Sequence, residues 1–423
     1  MMRAGLMLRK LGVLVGWVAG MWVSGVGECA GDQVIRVGLT YGQAPGSVAI
    51  SGKGDWRARK FREKLDGTAR ITAGRGELVL EIEDRHGGVG PWIEFGAADE
   101  RKALKLDGRR YLGRLRVELA DGGGLKVINT VGVEDYVRGV VPNEMFAHSE
   151  AFKVQAVVAR TYALYVRDIE KKHEAEGFDI CTTGHCQVYR GVDSQMESSD
   201  RAVRATEGEV LTYGGRPIFS AYHANAGGMT QWVDEAWPGS VRRDFPYLRA
   251  VASPYDAEAR KLRGYEWCYR WKRRVKGREI EERLRARGKR VGDVRALLVR
   301  KRTSTGRVGE MEVVGTKGRA RLGTPAEVKR AVRTPSANFE VAGGGGRFEL
   351  TGWGRGHGVG MSQHGALGMA KAGYKYQDIL GHFYWGVSLT EGYGGSRSRA
   401  LRAPELRMKK AEVAPIMVPK GRS

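Results

Sequence analysis

Between residues 33 and 129, apolar and polar positions alternate in short runs, VIRVGLTYG, ELVLEIED, RRYLGRLRVELA and GLKVINTVG, separated by turns that carry glycine or aspartate. A period of two marks half-buried strands, so this stretch predicts a β-rich lobe. The period then changes. Residues 133–139 read as a short helix closed by Gly139, with Pro142 blocking its continuation because proline has no amide hydrogen to give. A longer helix starts near Ser149, with Glu150 in its first turn, where negative charge suits the helix dipole. Phe152, Ala156, Ala159, Ala163 and Val166 recur at three- and four-residue spacing and define its buried stripe. Arg160 borders that stripe, and a guanidinium held there needs an acidic partner or a substrate group.

Further along, the segment EVLTYGGRPIFSAYHANAGGMT predicts two strands around a Tyr213-Gly214-Gly215 turn, after a helix-like stretch at 199–206. Residues 255–335 are strongly basic with mixed periodicity: a strand at 267–275, a helix at 279–287, and strands at 294–302 and 309–315. They predict a subsidiary α+β lobe inserted between two parts of a core, 131–254 and 336–392. Ser362 is placed to cap a helix running through Gln363, Ala366 and Met369 until Gly373. Residues 393–423 are basic, lack a core pattern and are expected to be disordered. The fold class is therefore α+β, β-rich and multi-lobed, with a central long helix.

Composition narrows the setting. The chain has 423 residues, and 71 Lys+Arg against 48 Asp+Glu leave a net charge of +23, which favours a polyanionic partner. Nucleic acid, anionic lipid and anionic cell-wall polymer fit that field equally. Arg3, Arg9 and Lys10 precede an apolar stretch, 11–26, too short and glycine-rich for a membrane span, and small residues follow at 27–31. This is a signal-peptide layout over 1–30, ahead of the β-rich lobe at 31–130; the expectation is export to the periplasm or cell envelope, with a retained N-terminal anchor as the alternative. An exported protein rarely meets nucleic acid, so the charge points to envelope polymer or the membrane surface. With Cys29 in the leader, three cysteines remain, Cys181, Cys186 and Cys268. An odd count argues against a simple disulfide framework.

Several residues could carry chemistry. Glu144 follows VVPN and precedes Met145 and Phe146, an apolar setting in which a carboxyl group keeps its proton to higher pH, as a general acid must; an ordinary surface glutamate has the same spacing. In CTTGHC, Cys181 and Cys186 could hold a zinc ion with His185 or a distant histidine as third ligand and water or a substrate group as fourth, form a disulfide, or stay unlinked. Gln187 and Tyr189, with Tyr222, His223 and Asn225, offer the amides, phenols and imidazole that hydrogen-bond sugars. The alternating glycines from Gly352 to Gly360 lack the spacing of a dinucleotide loop and the Lys-Ser/Thr of a P-loop. His357 and His364 flank the following helix start, too far apart for a helical metal pair.

Tyr136, Gly139, Val140, Val141, Glu144 and Met145 match the form YxxGVVxxEM; together with KVQAVVARTYAL and GHGVGMSQHGA they make the chain resemble the stage II sporulation protein D and amidase-enhancer family. The resemblance implies a glycan-binding cleft beside the long helix and a lytic transglycosylase acting on peptidoglycan. Glu144 would be the catalytic acid and base, and Arg160 the arginine facing the pocket. Gln187, Tyr189, Tyr222, His223, His357, Ser362 and Gln363 would contact substrate, and zinc is implied at the cysteine pair in some members. Phe146 stands where the family usually has proline, and the connection to the long helix is slightly short. Glycoside hydrolysis ordinarily uses two carboxylates. The motif supplies one, which suffices when the muramic acid's own hydroxyl attacks the anomeric carbon. The alternatives are a wall-binding protein that recruits or enhances an N-acetylmuramoyl-L-alanine amidase and, more remotely, a metal-dependent amidase.

Overall fold

The computed structural model describes residues 33–58, 61–83, 85–99, 101–392 and 397–406; the expected leader, 1–30, and residues 407–423 of the tail lie outside these. The N-terminal alternation is realised as one large sheet. Its strands run in the spatial order Ile180–Cys181, Val34–Gly38, Leu125–Gly132, Arg114–Leu119, Trp92–Ala97, Ser47–Ala58, Phe61–Ala73, Leu78–Ile82 and Arg85–Gly90. Nearly all pairings are antiparallel; the exception is Ile180–Cys181, which joins Val34–Gly38 in parallel and so carries the cysteine loop to the sheet edge. Ile35, Val37, Ile50, Phe95, Leu115, Val117 and Val127 face the core, as the period of two requires.

Helix α1 (Val133–Glu144) follows directly from the strand Leu125–Gly132. Gly139 and Pro142, expected to end it, lie inside it. Gly139 is needed for packing: a Cβ there would come within 2.5 Å of the Tyr189 ring. Pro142 sits in the last turn, where little of the helix remains to be disrupted. The helix thus extends to Glu144. Helix α2 (Ser149–Tyr165) packs against α1, and every residue at 154–164 is buried. The stripe read from its sequence is too narrow because neighbours cover it on all sides.

A second hydrophobic core is built from Trp271, Val275, Ile280, Leu284, Met311, Val328, Phe339 and Leu350 with their neighbours. The strand Arg347–Trp353 pairs with both Arg270–Lys276 and Phe339–Gly344, so the expected lobe border at 335 cuts through this core. Pairing across more than seventy residues leaves no trace in local periodicity. The strand Arg347–Trp353 also runs straight into the glycine-rich segment, which wires the basic lobe to the cleft described below. Within the tail expected to be disordered, Ser398–Ala400 forms an edge strand on Ser388–Thr390. Edge pairing uses backbone groups and needs no apolar pattern. Among the described residues, no helix is long and apolar enough to cross a membrane.

Candidate active site

The end of α1, the short strand Tyr222–His223 and the helix Gln363–Lys371 enclose a cleft of about 820 Å³. Among the described residues lining it, Glu144 is the one carboxylate. Its Oε1 accepts the Val188 backbone N–H at 2.8 Å, and its Oε2 accepts from Gln363 Nε2 at 3.2 Å. The Tyr222 hydroxyl also bonds the carboxyl group. Tyr136 donates to Gln187 Oε1 at 3.0 Å, and Gln187 Nε2 donates to the Tyr222 oxygen at 3.4 Å. That chain leaves the Tyr222 hydrogen free to point at Glu144. Burial raises the Glu144 pKa above the ordinary carboxyl value, and the bonds from Val188, Gln363 and Tyr222 pull only part of the way back. The carboxyl group is thus oriented by fixed donors and biased towards holding its proton.

The far wall comes from the glycine run. Tyr222 and His223 pair in parallel with Met361 and Ser362, and a Cβ at Gly360 (φ +67°) would lie 2.1 Å from the Ala221 carbonyl oxygen. Only glycine permits that approach. His357 and Gln363 line the cleft as expected, and Gln363 Nε2 also donates to the Glu144 carbonyl at 2.5 Å. His357 uses both ring nitrogens internally, donating from Nε2 to the Tyr222 carbonyl at 2.9 Å and accepting the Val359 N–H at 3.1 Å. Burial pushes its pKa down to about 4.

Four expected site residues stand elsewhere. Tyr189 is packed against Tyr136 and Gly139 and donates to Asn129 at 3.0 Å, so it is core. Gln187 is fully buried and acts through Tyr222. Ser362 is fully buried, caps the helix through the Gly365 N–H at 3.2 Å and donates to Asp256. Arg160 is fully buried and turns away from Glu144: its Nε and Nη2 bond the two Glu134 oxygens at 2.7 and 2.6 Å, and Nη1 bonds the Glu209 carbonyl at 3.0 Å. A planar bidentate pair of this kind uses the guanidinium fully. Its orientation follows from α2 being buried on all sides, with Glu134 of α1 within reach.

At one end of the cleft, Cys181, His185 and Cys186 are joined by a residue that spacing within CTTGHC did not reveal, His173. One ligand atom from each lies within 4.8 Å of all the others. His173 Nε2 is 3.3 Å from Cys186 Sγ, and His185 Nδ1 is 3.8 Å from Cys181 Sγ and 3.9 Å from Cys186 Sγ. Tetrahedral zinc with bonds of about 2.0 Å to nitrogen and 2.3 Å to sulfur places its ligands about 3.3 to 3.8 Å apart, so this donor set fits such an ion. Glu176 bonds the other nitrogen of His173 at 3.3 Å, the usual support for a ligand imidazole. Both cysteines are free thiols. A signal was present in the sequence: His173 stands eight residues before Cys181, on the segment leading into the loop.

Sequence reading also missed a buried carboxyl group and a buried guanidinium behind the wall. Asp256, fully buried, accepts from Ser362 and from the Gly228 N–H at 2.9 Å, and burial lifts its pKa to about 6. Arg307, from the basic lobe, donates to the carbonyls of Ala226 and Met229 at 2.8 and 2.7 Å.

The sequence was compared with known proteins. The family model described as stage II sporulation protein matches residues 121–213, which hold α1, α2, Glu144 and the thiol cluster. A stage II sporulation protein D of Bacillus amyloliquefaciens is 30% identical over 281 residues, covering 62% of this chain and 76% of that relative. The chain belongs to the stage II sporulation protein D family. An uncharacterised protein of Brachyspira hyodysenteriae is 30% identical over 369 residues, 86% of this chain and 94% of its own length. The amidase enhancer of Bacillus subtilis is 27% identical over 340 residues, 68% of this chain and 45% of the enhancer. Residues 244–360 match a separate domain family of unknown function. That range spans most of the second core, so the basic lobe of this family member is a module with relatives of its own.

Proposed function

We propose that this member of the stage II sporulation protein D family is a lytic transglycosylase of peptidoglycan. Its relatives, a sporulation protein and an amidase enhancer, point to a cell-wall role, and a solitary carboxylate among the described cleft residues supports chemistry that needs one acid–base group. Among the described residues lining the cleft, hydrolysis with two carboxylates finds no second group to call on. Glu144, biased by burial towards holding its proton, gives that proton to the glycosidic oxygen as the bond to the anomeric carbon breaks. The resulting carboxylate takes the proton of the muramic acid's primary hydroxyl, which closes onto the same carbon. The product is an anhydro-muramic acid end, and Glu144 is returned protonated. Tyr222, Gln363 and the Val188 N–H stabilise the carboxylate between the two transfers.

In this reading the cleft holds glycan strands, and the protein is exported to the periplasm or envelope, where the basic lobe meets anionic polymer or membrane. His173, Cys181, His185 and Cys186 would hold zinc, which when bound supplies a structural cross-link. Since Val188 lies two residues beyond Cys186, that cross-link would steady the Val188 N–H on Glu144. Arg160 supports α1 through Glu134 and does not touch substrate. The similarity to an amidase enhancer favours a second reading, recruitment of a cell-wall amidase to bound glycan. Mass spectrometry of muropeptides released by the purified protein separates the two: anhydro ends are expected, and their absence would leave binding and recruitment.

A further inference from the structure

Tyr222 and Gln363, which hold the Glu144 carboxyl group, are each followed by a histidine lining the same cleft, His223 and His364. His223 is 4% exposed and His364 1%. Nδ1 of His223 lies 3.1 Å from the Val359 carbonyl oxygen, and Nδ1 of His364 lies 2.5 Å from that of Ala224. A carbonyl oxygen can only accept. In both rings Nδ1 therefore carries the hydrogen, and Nε2 is a bare acceptor. No donor among the described residues reaches either Nε2. His357, beside them, differs in having both nitrogens occupied. A buried acceptor left without a donor carries an uncompensated desolvation cost, so two of them lining the cleft that holds the Glu144 carboxyl group mark a place where a ligand's donors belong.

The surroundings restrict which donors. Burial holds both rings neutral, and positive neighbours reinforce it, Arg307 at His223 and Arg355 at His364. A cationic ligand group would meet the same desolvation and the same repulsion. We propose that His223 Nε2 and His364 Nε2 form an acceptor-only subsite that takes the neutral donors of an N-acetylated amino sugar, its acetamido N–H and a ring hydroxyl, and disfavours the ammonium group of a de-N-acetylated sugar. The inference rests on the glycan reading for the ligand class and deepens it by naming the feature recognised. Access to His364 passes the Phe146 ring, 5.1 Å from it, and Tyr265, which packs edge-on to Phe146 at 4.8 Å and is 42% exposed. Phe146, the residue that stands in place of the family's usual proline, thus packs against the ring that carries the bare nitrogen.

The test uses full-length protein labelled with ¹⁵N-histidine and two probes, a β-1,4 tetramer of N-acetylglucosamine and its fully de-N-acetylated counterpart. Long-range proton–nitrogen correlation should show unprotonated Nε2 signals for His223 and His364 that move upfield on saturation with the acetylated tetramer. The His357 signals should stay in place. The acetylated tetramer should bind at least about tenfold more tightly, one good hydrogen bond's worth. His364→Phe should lose about tenfold in affinity, and His364→Gln, whose amide oxygen can take the Nε2 position, should recover most of it. Unmoved Nε2 signals, equal binding of the two tetramers, or no binding at millimolar concentration would overturn the subsite, and the wild-type spectra decide it even if a variant misfolds. Anhydro products with unmoved Nε2 signals would defeat the subsite and leave the transglycosylase reading. Shifts without anhydro products would do the reverse.

Discussion

Glu144→Gln tests the acid–base assignment with the least disturbance of shape. The amide oxygen can still accept the Val188 N–H, held at 2.8 Å in the wild type. The amide NH₂ then faces the Gln363 donor, 3.2 Å from the present Oε2, so one hydrogen bond worth about 1 kcal/mol is lost. An opposite term comes from charge. The folded pKa of Glu144 is raised above its unfolded value, so its contribution to stability is fully present below the unfolded value and is lost as pH rises through the folded pKa. Above that folded pKa the wild type bears the cost of a buried carboxylate and the glutamine variant does not. The two terms oppose each other, and Tm at pH 7 should change by no more than about 4 °C. Cleavage should fall by about a hundredfold or more, equivalent to about 2.7 kcal/mol of barrier. Muropeptide mass spectrometry on purified peptidoglycan gives the rate, and scanning fluorimetry gives Tm. Turnover above a third of wild type would refute the catalytic role. Inactivity accompanied by a fall in Tm of tens of degrees would refute the isosteric reasoning.

Arg160→Ala should destabilise the fold by about 3–5 kcal/mol by removing a fully buried guanidinium and its bidentate bond to Glu134, with activity per folded molecule nearly kept; full stability with lost activity in denaturant melts and rate assays would return Arg160 to catalysis. Elemental analysis should find close to one zinc per chain, chelation should lower Tm more than reductant does, and Cys181→Ser with Cys186→Ser should impair cleavage less completely than Glu144→Gln; a mass showing a Cys181–Cys186 bond would replace the zinc reading with a disulfide. Asp256 has a folded pKa near 6 against an ordinary 3.8, so its contribution to stability is present below pH 3.8 and lost as pH rises through 6. Relative to Asp256→Asn, the wild type should lose about 3 kcal/mol between those limits; parallel stability–pH curves for the two proteins would count against a buried, lifted carboxyl group.

What the sequence determined by itself was local. Alternation in VIRVGLTYG and GLKVINTVG was enough to place strands, Ser362 ahead of an apolar run was enough to place a helix cap, and the Glu144 motif and the glycine run were enough to name the family. These signals lie within a few residues of one another and rest on backbone propensity and period. The tertiary structure decided where the side chains ended up. Arg160 lies in a stretch that resembles a pocket segment, yet burial of α2 on every side turns it to Glu134. Tyr189 and Ser362 sit in segments that reach the cleft, yet packing against Gly139 and the bond to Asp256 take both side chains out of it. His173 joins the thiol loop only because the strand Ile180–Cys181 is drawn onto the sheet edge, and the bare nitrogens of His223 and His364 exist only because carbonyls of Val359 and Ala224 claim the other side of each ring. A propensity is a property of neighbours in the chain, whereas a partner for a guanidinium, a thiol or an imidazole is supplied by groups up to 143 residues away, and only folding brings those within hydrogen-bond reach.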